Sequence, residues 1–120
     1  MTTALKDAHT IDSQSFPYIF EQNVTVELAN NLGHCRLNIY RPKDNVQHPV
    51  LASCGPYGKD VPYSRFNPAS WAEVNPEHKS THSAWELPDP KFWTAHGYVV
   101  VRADEPGFGQ SPGYADLWAC

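Results

Sequence analysis

The sequence predicts an α/β protein: an antiparallel hairpin that leads into parallel strands joined by one crossover helix. Two apolar runs carry the parallel pair, Pro49-Val50-Leu51-Ala52-Ser53-Cys54 and Tyr98-Val99-Val100-Val101-Arg102-Ala103. Continuous runs of this kind suit strands buried on both faces of a parallel sheet. A helix signal stands directly before the second run, and a period-two pattern stands before the first. Strand, crossover, helix and parallel strand make a βαβ unit with a right-handed connection.

Taken in order, residues 1–15 are polar and read as a flexible lead-in, which leaves 16–120 as the folded portion. Val24-Thr25-Val26-Glu27-Leu28 alternates apolar and polar, as a half-buried strand does. Asn30-Asn31-Leu32-Gly33 is a turn cluster, Cys35-Arg36-Leu37-Asn38-Ile39-Tyr40 alternates again, and Pro42 stops it. Polar residues 43–48 lead to the first apolar run. Residues 55–88 form a long connection dense in Pro, Tyr, Trp, His and Asn and without strong periodicity. Its aromatics suit the wall of an apolar pocket and equally a surface loop packed on its own rings. Asp89 can then cap a helix over Lys91–His96, with Pro90 at its first position and Gly97 as the left-handed stop. Phe92 and Trp93 are its packing groups, and His96 sits at the negative end of its dipole.

The totals narrow the function. At 120 residues the chain is one domain, and 41% hydrophobic and 12% aromatic residues give a globular composition. A net charge of −4 without a basic run excludes the electrostatic footprint of a nucleic-acid binder. No stretch approaches the roughly 18 consecutive apolar residues that cross a membrane. The opening MTTALKDAHTIDSQ has no basic-then-apolar signal pattern, so a cytoplasmic location is expected. Cys35 and Cys54 fall in strand-like runs and read as small core residues.

Four patterns could carry chemistry. Gly109-Gln110-Ser111-Pro112-Gly113 spells G-x-S-x-G, a nucleophile elbow. An elbow needs a strand that ends at the serine and a donating N–H on the next residue. Here Pro112 has no N–H, and the preceding apolar run ends eight residues upstream at Ala103. Ser111 is therefore expected to be a loop serine. His78 and His82 stand at i, i+4 and could hold zinc with Glu86 or His48, but Lys79 replaces the glutamate base of a zinc protease, so solvated loop histidines and no metal are expected. Gly107-x-Gly109 lacks the spacing and helix of a dinucleotide loop, so no cofactor is expected. Asp104-Glu105 are neighbours on an extended chain and point to opposite sides; Asp104 is expected to organise its glycine loop through backbone hydrogen bonds.

RLNIYRP (36–42), PVLASCGPYGKD (49–60), SAWELPDPKFW (83–93) and GYVVVRADEPGFGQSPG (97–113) occur in one order with sensible spacing. Together they resemble the N-terminal part of the catalytic domain of the CocE/NonD group, the cocaine esterase and X-Pro dipeptidyl peptidase-like α/β-hydrolases. The resemblance covers roughly residues 24–118. It implies a partial α/β-hydrolase fold, truncated before the nucleophile elbow, and a serine hydrolase of small-molecule esters or amides. It places Tyr57 as an oxyanion-hole donor, with Gly58 and Trp85 on the substrate side. Its glycine loop after the fourth strand matches 104–113, with Pro106 where the family carries arginine. The family's serine, acid and histidine fall beyond this sequence, so the 120-residue chain is expected to be inactive by itself, ending inside a helix at Leu117–Cys120. In that reading the strand at 49–54 has a bare edge. The alternative is a non-catalytic binding or assembly module that self-associates through this edge.

Overall fold

In the computed structural model, which describes residues 8–113, the period-two segments pair as the pattern requires. β1 (Thr10–Asp12) lies antiparallel to β2 (Ile19–Glu27), and β2 is antiparallel to β3 (His34–Arg41). β1 lies inside the stretch that composition marks as lead-in. β2 starts five residues before Val24, where its alternation becomes visible, because a bulge between Glu21 and Val24 interrupts the period. Asn23 sits in the bulge at φ 60°, a left-handed conformation that asparagine tolerates.

β4 (Val50–Gly55) and β5 (Val99–Asp104) pair in parallel, from Val50 opposite Val99 to Gly55 opposite Asp104. β5 also runs antiparallel to β3, which gives a mixed five-stranded sheet in the order β1-β2-β3-β5-β4. The expectation of burial on both faces is corrected here. Val100, Arg102 and Asp104 are buried, but Val50, Ala52 and Cys54 are exposed on the other face. The connection 55–98 covers one side of the sheet, and an apolar run cannot report which segment covers its second side. Cys35 is the small buried residue expected; Cys54 is not.

The long connection is more regular than its composition suggests. It holds two one-turn helices, α1 (Tyr63–Phe66) and α2 (Pro68–Trp71), and a 3-10 turn at Pro76–His78. Asn67 accepts a hydrogen bond from Ser70 N–H at 3.1 Å and Asn75 from Glu77 N–H at 3.0 Å, each followed by a proline at the first helical position. The crossover helix α3 (Pro90–Ala95) uses the same device: the Asp89 carboxylate accepts from Phe92 N–H at 3.0 Å, and Gly97 follows at φ 84°. Asp89 also accepts from the hydroxyls of Ser80 and Ser83, tying the connection to the helix start.

The core on the covered face is aromatic. Tyr18, Tyr40 and Val100 are its buried centre, with Phe16, Phe20 and Trp93 packed around them. Phe20 stacks on Tyr40 at 5.0 Å, and the two residues are direct cross-strand partners. The helix expected over Leu117–Cys120 lies outside the described residues. Among the described residues no helix is long and apolar enough to cross a membrane.

Candidate functional site

The carboxyl ends of the parallel strands are where an open α/β sheet offers a ligand site. Here β4 turns through Gly55-Pro56-Tyr57-Gly58. Gly58 adopts φ 88°, and a Cβ there would crowd Val61 Cγ2 at 3.0 Å, so both the turn and its packing call for glycine. Tyr57 is 49% exposed, with its ring against Phe66 at 5.3 Å. Phe66 stacks on Trp85 at 5.9 Å, Trp85 meets Tyr63 at 5.5 Å, and Tyr63 meets Trp71 at 5.4 Å. The aromatics of the connection therefore form one continuous wall that starts at Tyr57. Tyr57, Gly58 and Trp85, singled out in the sequence, all belong to this turn and wall.

Under the turn lies a polar framework in which the sequence singled out Asp104 but not Lys59, Asp60, Asn23 or Asn38. The Lys59 side chain is fully buried, and its ammonium donates to Asn23 Oδ1 and Asp60 Oδ2, each at 2.7 Å. The bulge at Asn23 is what aims that amide at the ammonium. Asp60 also accepts from Asn38 at 2.9 Å and Gln22 at 3.1 Å. Burial pushes the Asp60 carboxyl up, but the bonds from Lys59, Asn38 and Gln22 outweigh it and hold the group below its ordinary range. Asp104 accepts from Lys59 N–H at 2.6 Å and Gln110 N–H at 2.8 Å. Burial raises its pKa against the pull of these two donors. A Cβ on Gly109 would collide with the Asp104 carboxylate, so this wrap requires glycine there.

Ser111 completes the same loop. It is 2% exposed; its hydroxyl donates to Asp104 O at 2.7 Å and accepts from Arg36 N–H at 2.8 Å. A hydroxyl committed to two backbone groups fastens the loop to β3 and β5, which agrees with its reading as a loop serine.

His82 differs from the solvated histidine expected. Its ring lies 4.5 Å from Phe16, 4.4 Å from Phe20 and 5.2 Å from Tyr40, and the Tyr18 hydroxyl bonds its Nδ1. It lines a cavity of about 200 Å³ with Phe20, Gln22, Tyr40, Asp60 and Arg102. Burial, and then the charge of Arg102, lower its pKa from 6.5 to about 4. The unfolded chain therefore takes up a proton before the folded one. Stability from the neutral ring is complete above pH 6.5 and is lost as pH falls to about 4, by up to roughly 3 kcal/mol. Urea unfolding at several pH values should show this loss in the parent and not in His82→Gln; parallel pH profiles would contradict it.

The His78 ring lies tilted against Phe92 at 4.1 Å, and His48 bonds Asp44 at 2.8 Å. Among the described residues no three His, Cys, Asp or Glu side chains come together in a way that could hold a metal ion. Asp104 and Glu105 are both buried.

This arrangement has relatives. The sequence profile of the X-Pro dipeptidyl-peptidase (S15 family) matches residues 34–119, and the chain belongs to that family. Two solved structures of a CocE/NonD family hydrolase from Staphylococcus aureus are similar, at 30% and 28% identity with TM-scores of 0.70 and 0.66. Each match covers 92% of this chain and 20% of the other. An aminopeptidase from the marine sediment archaeon Thaumarchaeota archaeon shares the fold at 20% identity and a TM-score of 0.54, over 97% of this chain and 17% of its own. The chain thus spans about a fifth of the length of these solved relatives. A search of curated proteins gave no significant match.

Proposed function

We propose that the chain is the N-terminal portion of an α/β-hydrolase domain in a serine hydrolase that cleaves ester or amide bonds through an acyl-enzyme. Its part in that chemistry is to supply an oxyanion donor, the Tyr57 hydroxyl, and an aromatic wall for the substrate. The observation that carries this reading is the seat of Tyr57: directly after β4, exposed, at the carboxyl end of the parallel pair, and braced by Phe66. Acyl transfer places negative charge on a carbonyl oxygen, and a phenol fixed at that spot can share it. Family membership supports the hydrolase reading over an assembly module, and the strand order agrees with the hydrolase sheet that the resemblance implies. The nucleophile, acid and histidine of that machinery have no counterpart in the resemblance across 24–118.

Fluorophosphonate labelling of the protein that carries this chain tests the proposal. A label is expected on a serine other than Ser111, and Ser111→Ala should label like the parent. The same variant should lose about 1–3 kcal/mol of stability, because buried backbone groups lose their hydroxyl partner. A label on Ser111, or no label at all, would overturn the reading.

A further inference from the structure

Arg102 stands in β5, flanked in the sheet by Asn38 and Ser53, where an apolar residue would fill the position more cheaply. It is 2% exposed, and among the described residues no carboxylate lies within ion-pair distance of it. Its Nη1 donates to the His82 carbonyl at 2.6 Å and its Nη2 to the Pro88 carbonyl at 2.8 Å. The guanidinium lies 5.1 Å from the Tyr40 ring centre, and among the described residues its Nε has no hydrogen-bond partner. Both forked ends of a buried cation are thus directed at one segment. The two carbonyls bracket residues 83–87, and Trp85 stands between them, against Phe66 and so next in line to Tyr57. Arg102 and Tyr57 also line one small cavity of about 30 Å³ with Gly58 and Leu87.

We infer that Arg102 is a positioning residue for substrate binding: by clamping the His82 and Pro88 carbonyls it holds Trp85, and through Phe66 the wall beside Tyr57. The inference rests on the hydrolase reading above. A planar fork reaches two carbonyls at once; a lysine ammonium is a single point donor and can serve one well. The two ties replace a hydrophobic anchor for a segment that otherwise has few backbone bonds of its own, such as Leu87 N–H to Ala84 O at 3.3 Å.

The test uses Arg102→Met, Arg102→Lys, Trp85→Ala and the Met/Ala double variant in the protein that carries this chain. Amide hydrogen exchange across 83–87 should quicken about tenfold or more in Arg102→Met, and less in Arg102→Lys, while β5 keeps its protection. For hydrolysis of a p-nitrophenyl ester, Arg102→Met and Trp85→Ala should each raise KM about tenfold with smaller changes in kcat. The double variant should also show about tenfold, not a hundredfold, because both changes remove one arrangement. If Arg102→Met does not fold, Arg102→Lys carries the same comparison. Unchanged exchange in 83–87, or KM effects that multiply, overturns the inference. Full activity in Tyr57→Phe removes only the oxyanion role of Tyr57, whereas no ester hydrolysis by the parent overturns the hydrolase reading. The exchange data, which need no activity, separate that failure from failure of the inference.

Discussion

Tyr57→Phe is expected to lower kcat of the protein that carries this chain by about 10²–10³, with KM nearly unchanged. The substitution removes one oxygen and keeps the ring that packs on Phe66 at 5.3 Å, so the wall and the turn persist. In the proposed role, what goes is a donor whose value lies in the transition state, when the carbonyl oxygen gains charge; a ground-state carbonyl benefits less. The loss therefore belongs in kcat. Steady-state kinetics on an ester and on an X-Pro anilide would measure it, and the two substrates should lose similar factors because the oxyanion is common to both. A variant within about twofold of the parent would remove Tyr57 from the chemistry. A raised KM at constant kcat would make it a wall residue only.

Asp104→Ala should be the most destabilising single change in the described framework, at about 3–5 kcal/mol. The carboxylate receives Lys59 N–H and Gln110 N–H, and the Lys59 ammonium is 3.9 Å away. Alanine leaves two buried donors without an acceptor and removes one of two carboxylates beside a fully buried ammonium. It also frees the loop that packs Gly109 against that carboxylate. Because domains are stable by only about 5–15 kcal/mol, this loss would shift the urea midpoint far or prevent folding. Asp104→Asn supplies a second point: it keeps one acceptor oxygen and turns an NH₂ toward the other donor, so an intermediate loss is expected. Midpoints for both variants within about 1 kcal/mol of the parent would show that the framework does not depend on Asp104.

The two experiments probe different levels of one structure. Asp104, Lys59 and Ser111 tie the ends of β4 and β5 to the loops above them, and those loops present Tyr57 and the wall. The sequence already hinted at half of this. Asp104 was readable as an organiser of its glycine loop, and Ser111 as a loop serine, because Pro112 has no N–H and the strand ends too early. The hydrogen bonds of both residues follow that reading.

Elements whose signals are local were legible from the residues alone. Alternation marked the hairpin, continuous apolar runs marked β4 and β5, and Asp89-Pro90 with Gly97 marked α3, because capping and φ preferences act within a few residues. Asn67-Pro68 and Asn75-Pro76 carried the same capping signal within the connection, and reading them would have located α2 and the 3-10 turn. Tertiary structure alone decided what depends on distant partners. His82 reads as a polar loop residue until Phe16, Phe20 and Tyr40 close around it. Nothing near Lys59 in the sequence marks its burial, which arises when the bulge brings in Asn23 and β5 brings in Asp104. Arg102 passes within an apolar run in the sequence, and only the fold brings the carbonyls of His82 and Pro88, 20 and 14 residues away in the chain, to its two ends. Short-range propensity set the elements; desolvation and hydrogen bonding across the sheet set which of their polar residues became the framework of the site.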